Sequence, residues 1–299
     1  MKKTGNFNVD FFLIGAAKCG STWLAYCLDE HPQITISNPK EPHFFVKKLS
    51  VFGERYNKNY LKDWNWYKNC FKHAQPNTKL IDCSINLFFN IPDAPVNIKK
   101  YFPNAKFLII LRDPVKRTYS HWIHEKFKDK NINAPDSFEE AIKNKELIFR
   151  SCYYAQLKEW LNYFPLKRFF IILDIDITNN NVIKTWRKLC HFLEINSDFI
   201  PSKLYTKINV ASKRTLLYDI LISIGHFARK MGLSSLVDYI NYDLRLGQFI
   251  DNKIGIKKIQ YPELERSIAK TLYNQLESDI EKLEKLINRD LSEWKKYKQ

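Results

Sequence analysis

Residues 15–22 read Gly-Ala-Ala-Lys-Cys-Gly-Ser-Thr, and their types and spacing suit the holding of an anion. Two glycines five positions apart let the backbone turn tightly and offer successive N–H groups to one bound group. Ser21 and Thr22 stand at a helix start, where their hydroxyls and the helix dipole add to the attraction. A loop that cradles ATP phosphates reads G-x-x-x-x-G-K-[ST], with its lysine directly before the hydroxyl residue. Here the glycines and the hydroxyl of Thr22 keep their places, but Lys18 sits three positions early. A second element lies further on. Arg112 closes an apolar run and Ser120 follows eight residues later, so a guanidinium and a hydroxyl can clasp one more phosphate, the arginine through paired bonds. The run that would carry an acidic Mg²⁺ ligand at its end carries Arg112 instead. The pattern points to phosphate handled without a metal.

These residues need a frame, and the hydrophobic pattern supplies one. Residues 11–14, Phe-Phe-Leu-Ile, form a short apolar run that ends at Gly15, as a buried parallel strand does. Residues 21–30 place Trp23, Leu24, Cys27 and Leu28 on one helical face before His31-Pro32 stops the helix. "KLIDCS" (79–84) reads as a second strand, residues 97–102 as a short helix, and "AKFLIILRDP" (105–114) as the clearest strand of the chain. A helix follows through "VKRTYSHWIHEKF", another over 138–144, and an amphipathic one over 153–164 with Leu157, Trp160, Leu161 and Phe164 inward. "RFFIILDID" (168–176) is a buried strand and "VIKTWRKLCHFLEI" (182–195) a helix. Strands alternating with helices predict an α/β fold, a central mostly parallel sheet flanked by helices. Ligands in such folds sit beyond the carboxyl ends of the strands, where both anion elements lie. The last third is helical. "TLLYDILISIGHFARKMGL" (215–233) is apolar-rich, and 263–297 carries apolar residues at spacings of three and four, as one long helix or two. That face packs on the body or forms a dimer contact.

The 299 residues suit one large domain, and 45% hydrophobic content supports a sizeable core. The net charge of +16 fits an acidic partner, but it fits equally a bias toward Lys, Asn and Ile throughout the chain. No RRM, KH, zinc-finger or helix-turn-helix signature supports nucleic acid as that partner. The six cysteines, at 19, 27, 70, 83, 152 and 190, include no CxxC pair, which argues against a disulfide framework or a zinc site and for a reducing cytoplasm. "MKKTGNFNVD" is basic but polar and the apolar run 11–17 is short, so neither a secretory signal nor a membrane span is expected.

At this point the motifs together carry a resemblance. "GAAKCGSTWLAYCL" resembles the 5′-phosphosulfate loop of sulfotransferases that use 3′-phosphoadenosine 5′-phosphosulfate (PAPS), and "RDPVKRTYSHW" resembles their 3′-phosphate motif. "HPQITISNPKEPHFF" is similar to the segment that carries the catalytic carboxylate in the heparan-sulfate-type branch. "SCYYAQLKEWLNYFP" is similar to the family's central helix entry, with Ser151 where a glycine usually stands, and "INRDLSEW" resembles the common C-terminal ending. The likeness runs over 9–210 and again over 261–295, and it implies a P-loop-containing nucleotide-binding fold with a helical C-terminal part, one domain over 1–299. Residues 215–255 match nothing in the family. They read as a helical cap on the acceptor side, or else as core packing or a dimer face.

The resemblance implies that PAPS is the donor, that 3′,5′-ADP (PAP) is the product, and that no metal is needed. Lys18, Cys19, Gly20, Ser21, Thr22 and Trp23 would hold the 5′-phosphosulfate, Arg112 and Ser120 the 3′-phosphate, with Tyr153 a further cofactor contact. "NVASKRTL" (209–216) looks like the late basic loop over the nucleotide, with Ser212, Lys213 and Arg214 as contacts, although the family's glycine between the basic residues is missing. Sulfuryl transfer proceeds in line through a loose transition state, so the protein mainly positions groups and balances charge. Lys18 would neutralise charge growing on the bridging oxygen. Glu41 takes the position of the general base for an acceptor hydroxyl or amine. His43, with its near-neutral pKa, is the other candidate or orients Glu41. Lys40 would tune that carboxylate or touch an anionic acceptor, while Cys83 stands where the family often has a lysine. His121 and His124 read as surface or packing residues. The acceptor is a glycan or a small polar natural product, handled by a cytoplasmic, bacterial-type enzyme without a membrane span, as monomer or homodimer. The rival readings are a P-loop kinase and a non-catalytic basic binder of nucleic acid.

Overall fold

The computed structural model describes residues 7–53, 56–129, 131–178, 181–206 and 262–298, together with the backbone of 212–213 and 257–258. Five strands form one sheet: β1 (Phe11–Gly15), β2 (Ile34–Ile36), β3 (Lys79–Asp82), β4 (Lys106–Leu111) and β5 (Phe169–Leu173). Their order is β2-β3-β1-β4-β5, and every pairing is parallel, with Phe11 opposite Ile81 and Lys106, and Ile110 opposite Ile172. β1 and β4 are buried nearly throughout, as continuous apolar runs covered on both faces must be. β3 and β4 flank β1, so the loop after β1 emerges between two neighbours at the carboxyl edge.

Helices cover both faces. They are α1 (Ser21–Asp29), α2 (Trp64–Asn69), α3 (Asp93–Tyr101), α4 (Pro114–Ile123), α5 (Phe138–Ala141), α6 (Lys145–Phe149), α7 (Tyr153–Leu161), α8 (Val182–Leu193) and α9 (Arg266–Ile287). The core is strongly aromatic. Phe107 stacks on Phe169 at 4.9 Å, and the buried Trp160 indole donates to the Phe88 carbonyl at 3.0 Å.

Several boundaries differ from the sequence reading, each for a local reason. The helix expected from 97 starts at Asp93, because Pro95 is accommodated in the first turn, where no N–H is needed. The helix expected over 138–144 is cut short as α5, and a separate helix that was not expected, α6, follows it. Ile142 ends α5, and the Asn144 side chain accepts from the Leu147 N–H to start α6. α4 runs on into a π-helical turn at His124–Lys128. The two short elements β2 and α2 were not anticipated. The C-terminal pattern is one 22-residue helix, α9, ended by Asn288 in the left-handed region and followed by a 3₁₀ turn at Ser292–Lys295.

α9 packs on the body. Asp279 accepts from the N–H groups of Tyr154 and Ala155 at 2.9 and 3.0 Å, serving the free N-terminus of α7. The segment after α9 reaches the carboxyl edge of the sheet, where Trp294 donates to Asp174 at 3.0 Å and Tyr297 to Asp113 at 2.7 Å. Residues 212–213 and 257–258 form a short antiparallel pair. The cap expected at 215–255 lies outside the described residues. Among the described residues, no helix is long and apolar enough to cross a membrane.

Candidate functional site

The loop after β1 is pinned at its root. The Ala16 N–H donates to the Ile110 carbonyl of β4 at 2.8 Å, and the Phe88 N–H donates to the Ile14 carbonyl at 2.9 Å. Gly15 has no room for a side chain, since a Cβ there would stand 2.7 Å from Phe88 Cβ. Gly20 has φ +102°, a conformation that excludes most side chains, and it hands the chain to α1. α1 has no side-chain cap on its N-terminus and no acidic residue in its first turn. Its leading N–H groups are thereby kept for an anion. Ser21 is buried and Thr22 half-buried in that turn. Trp23 is half-buried as well, with its indole N–H shared between the carbonyls of Lys203 and Leu204.

Lys18 stands in the left-handed region with φ 73°, and it makes no ion pair among the described residues. Burial brings its pKa down to about 8. Lys128, Arg117 and Arg112 push the same way, with Asp129 opposing. A lysine destabilised by burial and by neighbouring cations attracts negative charge.

Arg112, just after β4, donates from Nη1 to the Lys18 carbonyl at 3.2 Å, so it ties the second motif to the first. The Tyr153 hydroxyl donates to the Arg112 carbonyl at 3.0 Å, and Cys19 Sγ lies 3.5 Å from the same hydroxyl. Burial raises the pKa of both the Cys19 thiol and the Tyr153 phenol, so both stay protonated. Asp113 is buried and caps α4 through the N–H groups of Val115 and Lys116. Ser120 is half-buried on the same helix.

Glu41 follows β2, so it too lies beyond the carboxyl end of the sheet. Its two oxygens have different neighbours: Lys40 Nζ at 2.8 Å and His43 Nε2 at 3.5 Å. Burial pulls the Lys40 pKa down, but the Glu41 carboxylate outweighs it and the net shift is upward. The same ammonium feels Cys83 and Tyr26, which sets this segment beside α1 and the end of β3. His43 has φ 55°, and its N–H donates to Ser84 Oγ at 2.9 Å, which fixes the turn that presents Glu41. Asp82 completes this support. It is fully buried, accepting from Ser84 N–H at 2.8 Å and from the Tyr67 hydroxyl at 2.8 Å. Burial raises its pKa to about 6, the two donors oppose the shift, and nearby Glu41 adds to it.

The residues expected from the sequence therefore fall into two groups. Lys18, Cys19, Gly20, Ser21, Arg112 and Tyr153 are joined around one loop, with Thr22, Trp23 and Ser120 on the adjoining helices. Lys40, Glu41 and His43 form a second group on the neighbouring strand end. Of the late basic loop, only the backbone of Ser212 and Lys213 is described, paired with Lys258 and Lys257, and Arg214 lies outside the described residues. His121 is buried, its Nδ1 2.6 Å from Arg117 Nη2, while His124 lies 3.5 Å from Asp129. Two residues escaped the sequence reading. Asp82 is an acid closing a buried strand, which is itself an unusual signal. Arg117 hides in a basic run that reads as a solvated helix face. All six cysteines are free thiols. Among the described residues, no three His, Cys, Asp or Glu side chains gather as a metal site requires.

Comparison with known proteins places this geometry. The model of the sulfotransferase domain matches residues 8–216. Over 210 residues the chain is 28% identical to the bifunctional heparan sulfate N-deacetylase/N-sulfotransferase 1 of Caenorhabditis elegans, covering 65% of this chain and 24% of that protein. Over 148 residues it is 30% identical to the membrane-associated sulfotransferase kil1 of Dictyostelium discoideum, covering 48% and 29%. The chain thus spans about a quarter of the length of these curated relatives. The crystal structure of a sulfotransferase from Alicyclobacillus acidocaldarius superposes with a TM-score of 0.69 at 24% identity, covering 97% of this chain and all of that one, a likeness of fold.

Proposed function

The chain belongs to the sulfotransferase-domain family, and from that premise we propose that it transfers a sulfuryl group from PAPS to a hydroxyl or amino group of a glycan or small polar acceptor. One observation carries the reading toward this donor. Lys18 is a partly desolvated ammonium, without an ion pair among the described residues, beside an uncapped helix start, and its own carbonyl is held by Arg112. Two cations of separate motifs bonded to one loop suit a ligand with two anionic ends.

The residues then divide the work. Bound PAPS supplies the activated sulfuryl group. Lys18, together with the N–H groups at the start of α1, holds the 5′ end and offsets the charge that develops on the leaving oxygen. Arg112 and Ser120 hold the 3′-phosphate. Tyr153 keeps the Arg112 backbone in place through its hydroxyl bond. Glu41 accepts the proton of the acceptor group at one of its oxygens, and His43 and Lys40 keep that carboxylate oriented. Ser212, Lys213 and Arg214 complete the nucleotide side.

Calorimetric titration with 3′,5′-ADP in the absence of metal tests the proposal. Micromolar binding that Lys18→Ala and Arg112→Ala each weaken more than tenfold supports it. Binding that requires Mg²⁺ and prefers ATP refutes it and favours a kinase.

A further inference from the structure

Beneath the anion loop, the protein buries more positive charge than it balances. Arg117 on α4 is 1% exposed, and Arg150, after α6, is 3% exposed. Arg150 is provided for: it donates to Glu146 at 3.1 Å and to the Leu49 carbonyl, and it lies 3.5 Å over the Phe89 ring. Yet Glu146 is also the partner of Lys48, so one carboxylate serves two cations. Arg117 has no carboxylate partner among the described residues. Its bond goes to Nδ1 of His121, whose pKa burial and the cations around it push well down, so that ring is neutral. Glu125 stands on the far side of the ring, 3.5 Å from Nε2.

A small cavity lies between the two guanidiniums. Its walls are Ala16 and Ala17 of the loop, Phe88, Gln156, Arg117 and Arg150. Gln156 spends its amide N–H groups on the carbonyls of Phe149 and Cys152. The Nε atoms of both arginines are buried without a hydrogen-bond partner among the described residues. An unsatisfied N–H on a buried cation is costly, and a buried charge needs a counter-charge. The space admits about one water-sized particle, too little for a carboxylate or sulfate. A water would accept from the N–H groups but leave Arg117 with no counter-charge nearer than Glu125, beyond the neutral His121 ring. A halide would accept from them and supply that charge.

We propose that the cavity between Arg117 and Arg150 is a binding site for a single monatomic anion, of which chloride is the abundant example. It shares Ala16 and Ala17 with the anion loop, and Arg117 also acts on Lys18, Cys19 and Tyr153. The ion holds the floor of the loop and sets the potential that Lys18 feels.

Two measurements on the whole chain test this. Crystals of the wild type soaked in bromide should show an anomalous peak between Arg117 and Arg150. Thermal denaturation in sodium chloride should show a saturable rise of a few degrees over sodium gluconate of equal ionic strength, as binding to the native state alone requires. Arg117→Gln should remove that difference. No peak at saturating bromide, equal melting in the two salts, or a chloride effect that survives Arg117→Gln each overturns the proposal. The bromide test holds even if the variant fails to fold.

Discussion

Lys18 gives the sharpest prediction, because its charge is both the attraction for the ligand and a burden on the fold. With a pKa of about 8 it is charged at pH 7 and mostly neutral at pH 9. A bound phosphosulfate or phosphate favours the ammonium, so binding must recharge whatever fraction is neutral. The apparent affinity for 3′,5′-ADP then falls by about twofold at pH 8 and about elevenfold at pH 9, relative to the fully charged site. The ligand does not share the blame, because a phosphomonoester is already fully ionised above pH 7. Asp82, with a pKa of about 6, has finished titrating by then. Calorimetry at pH 8.5 in buffers of different ionisation heat should show about 0.8 proton taken up per ligand bound. Lys18→Arg should keep binding flat with pH, since a guanidinium does not titrate there. Equal wild-type affinity at pH 7 and pH 9, or a decline that persists in Lys18→Arg, would refute the argument.

The same group acts on stability, with a sign that can be worked out. In the unfolded chain Lys18 titrates near 10.5; in the folded chain it titrates at about 8. Between these values the unfolded state holds more protons, so stability rises with pH across that window and is lowest below it. The gap corresponds to about 3 kcal/mol. Lys18→Met should therefore raise the midpoint of thermal unfolding at pH 7 while abolishing nucleotide binding. A loss of both would show that the side chain is held by contacts worth more than its burial costs.

Glu41→Gln should lower kcat at least 100-fold, as expected for loss of a general base, and leave the affinity for 3′,5′-ADP unchanged; a parallel loss of nucleotide affinity would remove Glu41 from the acceptor side. Gly15→Ala must push its new methyl into Phe88 Cβ at 2.7 Å and should destabilise by about 1–3 kcal/mol, read by urea denaturation. Asp82, with its pKa raised to about 6, holds a proton in the folded state that the unfolded chain releases near 4. The stability of wild type relative to Asp82→Asn should therefore fall as pH rises from 4 to 6 and level off above, on top of the opposite slope that the buried neutral His121 gives both proteins. An unchanged slope in the variant would assign the titration elsewhere.

What was legible in the sequence follows from how local each cause is. β1, β4 and β5 announce themselves because a strand covered on both faces must be apolar along its whole length. β2 is three residues long, Ile-Thr-Ile between polar neighbours, and exists only because β3 is there to pair with it. α2 left a readable trace, an Asp63 side chain that accepts from the Trp66 N–H, in a stretch whose aromatics mask any helical period. The anion loop was legible because its glycines and hydroxyls act through the backbone, at fixed spacing.

Charge was the hard part. Lys116 and Arg117 stand side by side as basic residues in the sequence, yet Arg117 is buried and Lys116 exposed. Their difference comes from α7 and the residues after α6, more than 30 positions away, which close over one side of α4. Asp82 is hidden although its partners are near in sequence, because Tyr67 and Ser84 define it as a buried acceptor only once β3 is in the sheet. A motif names the atoms that can meet a ligand. The burial that sets their charge state is a property of the fold, and in this chain it is what turns a lysine three positions out of place into a titrating one.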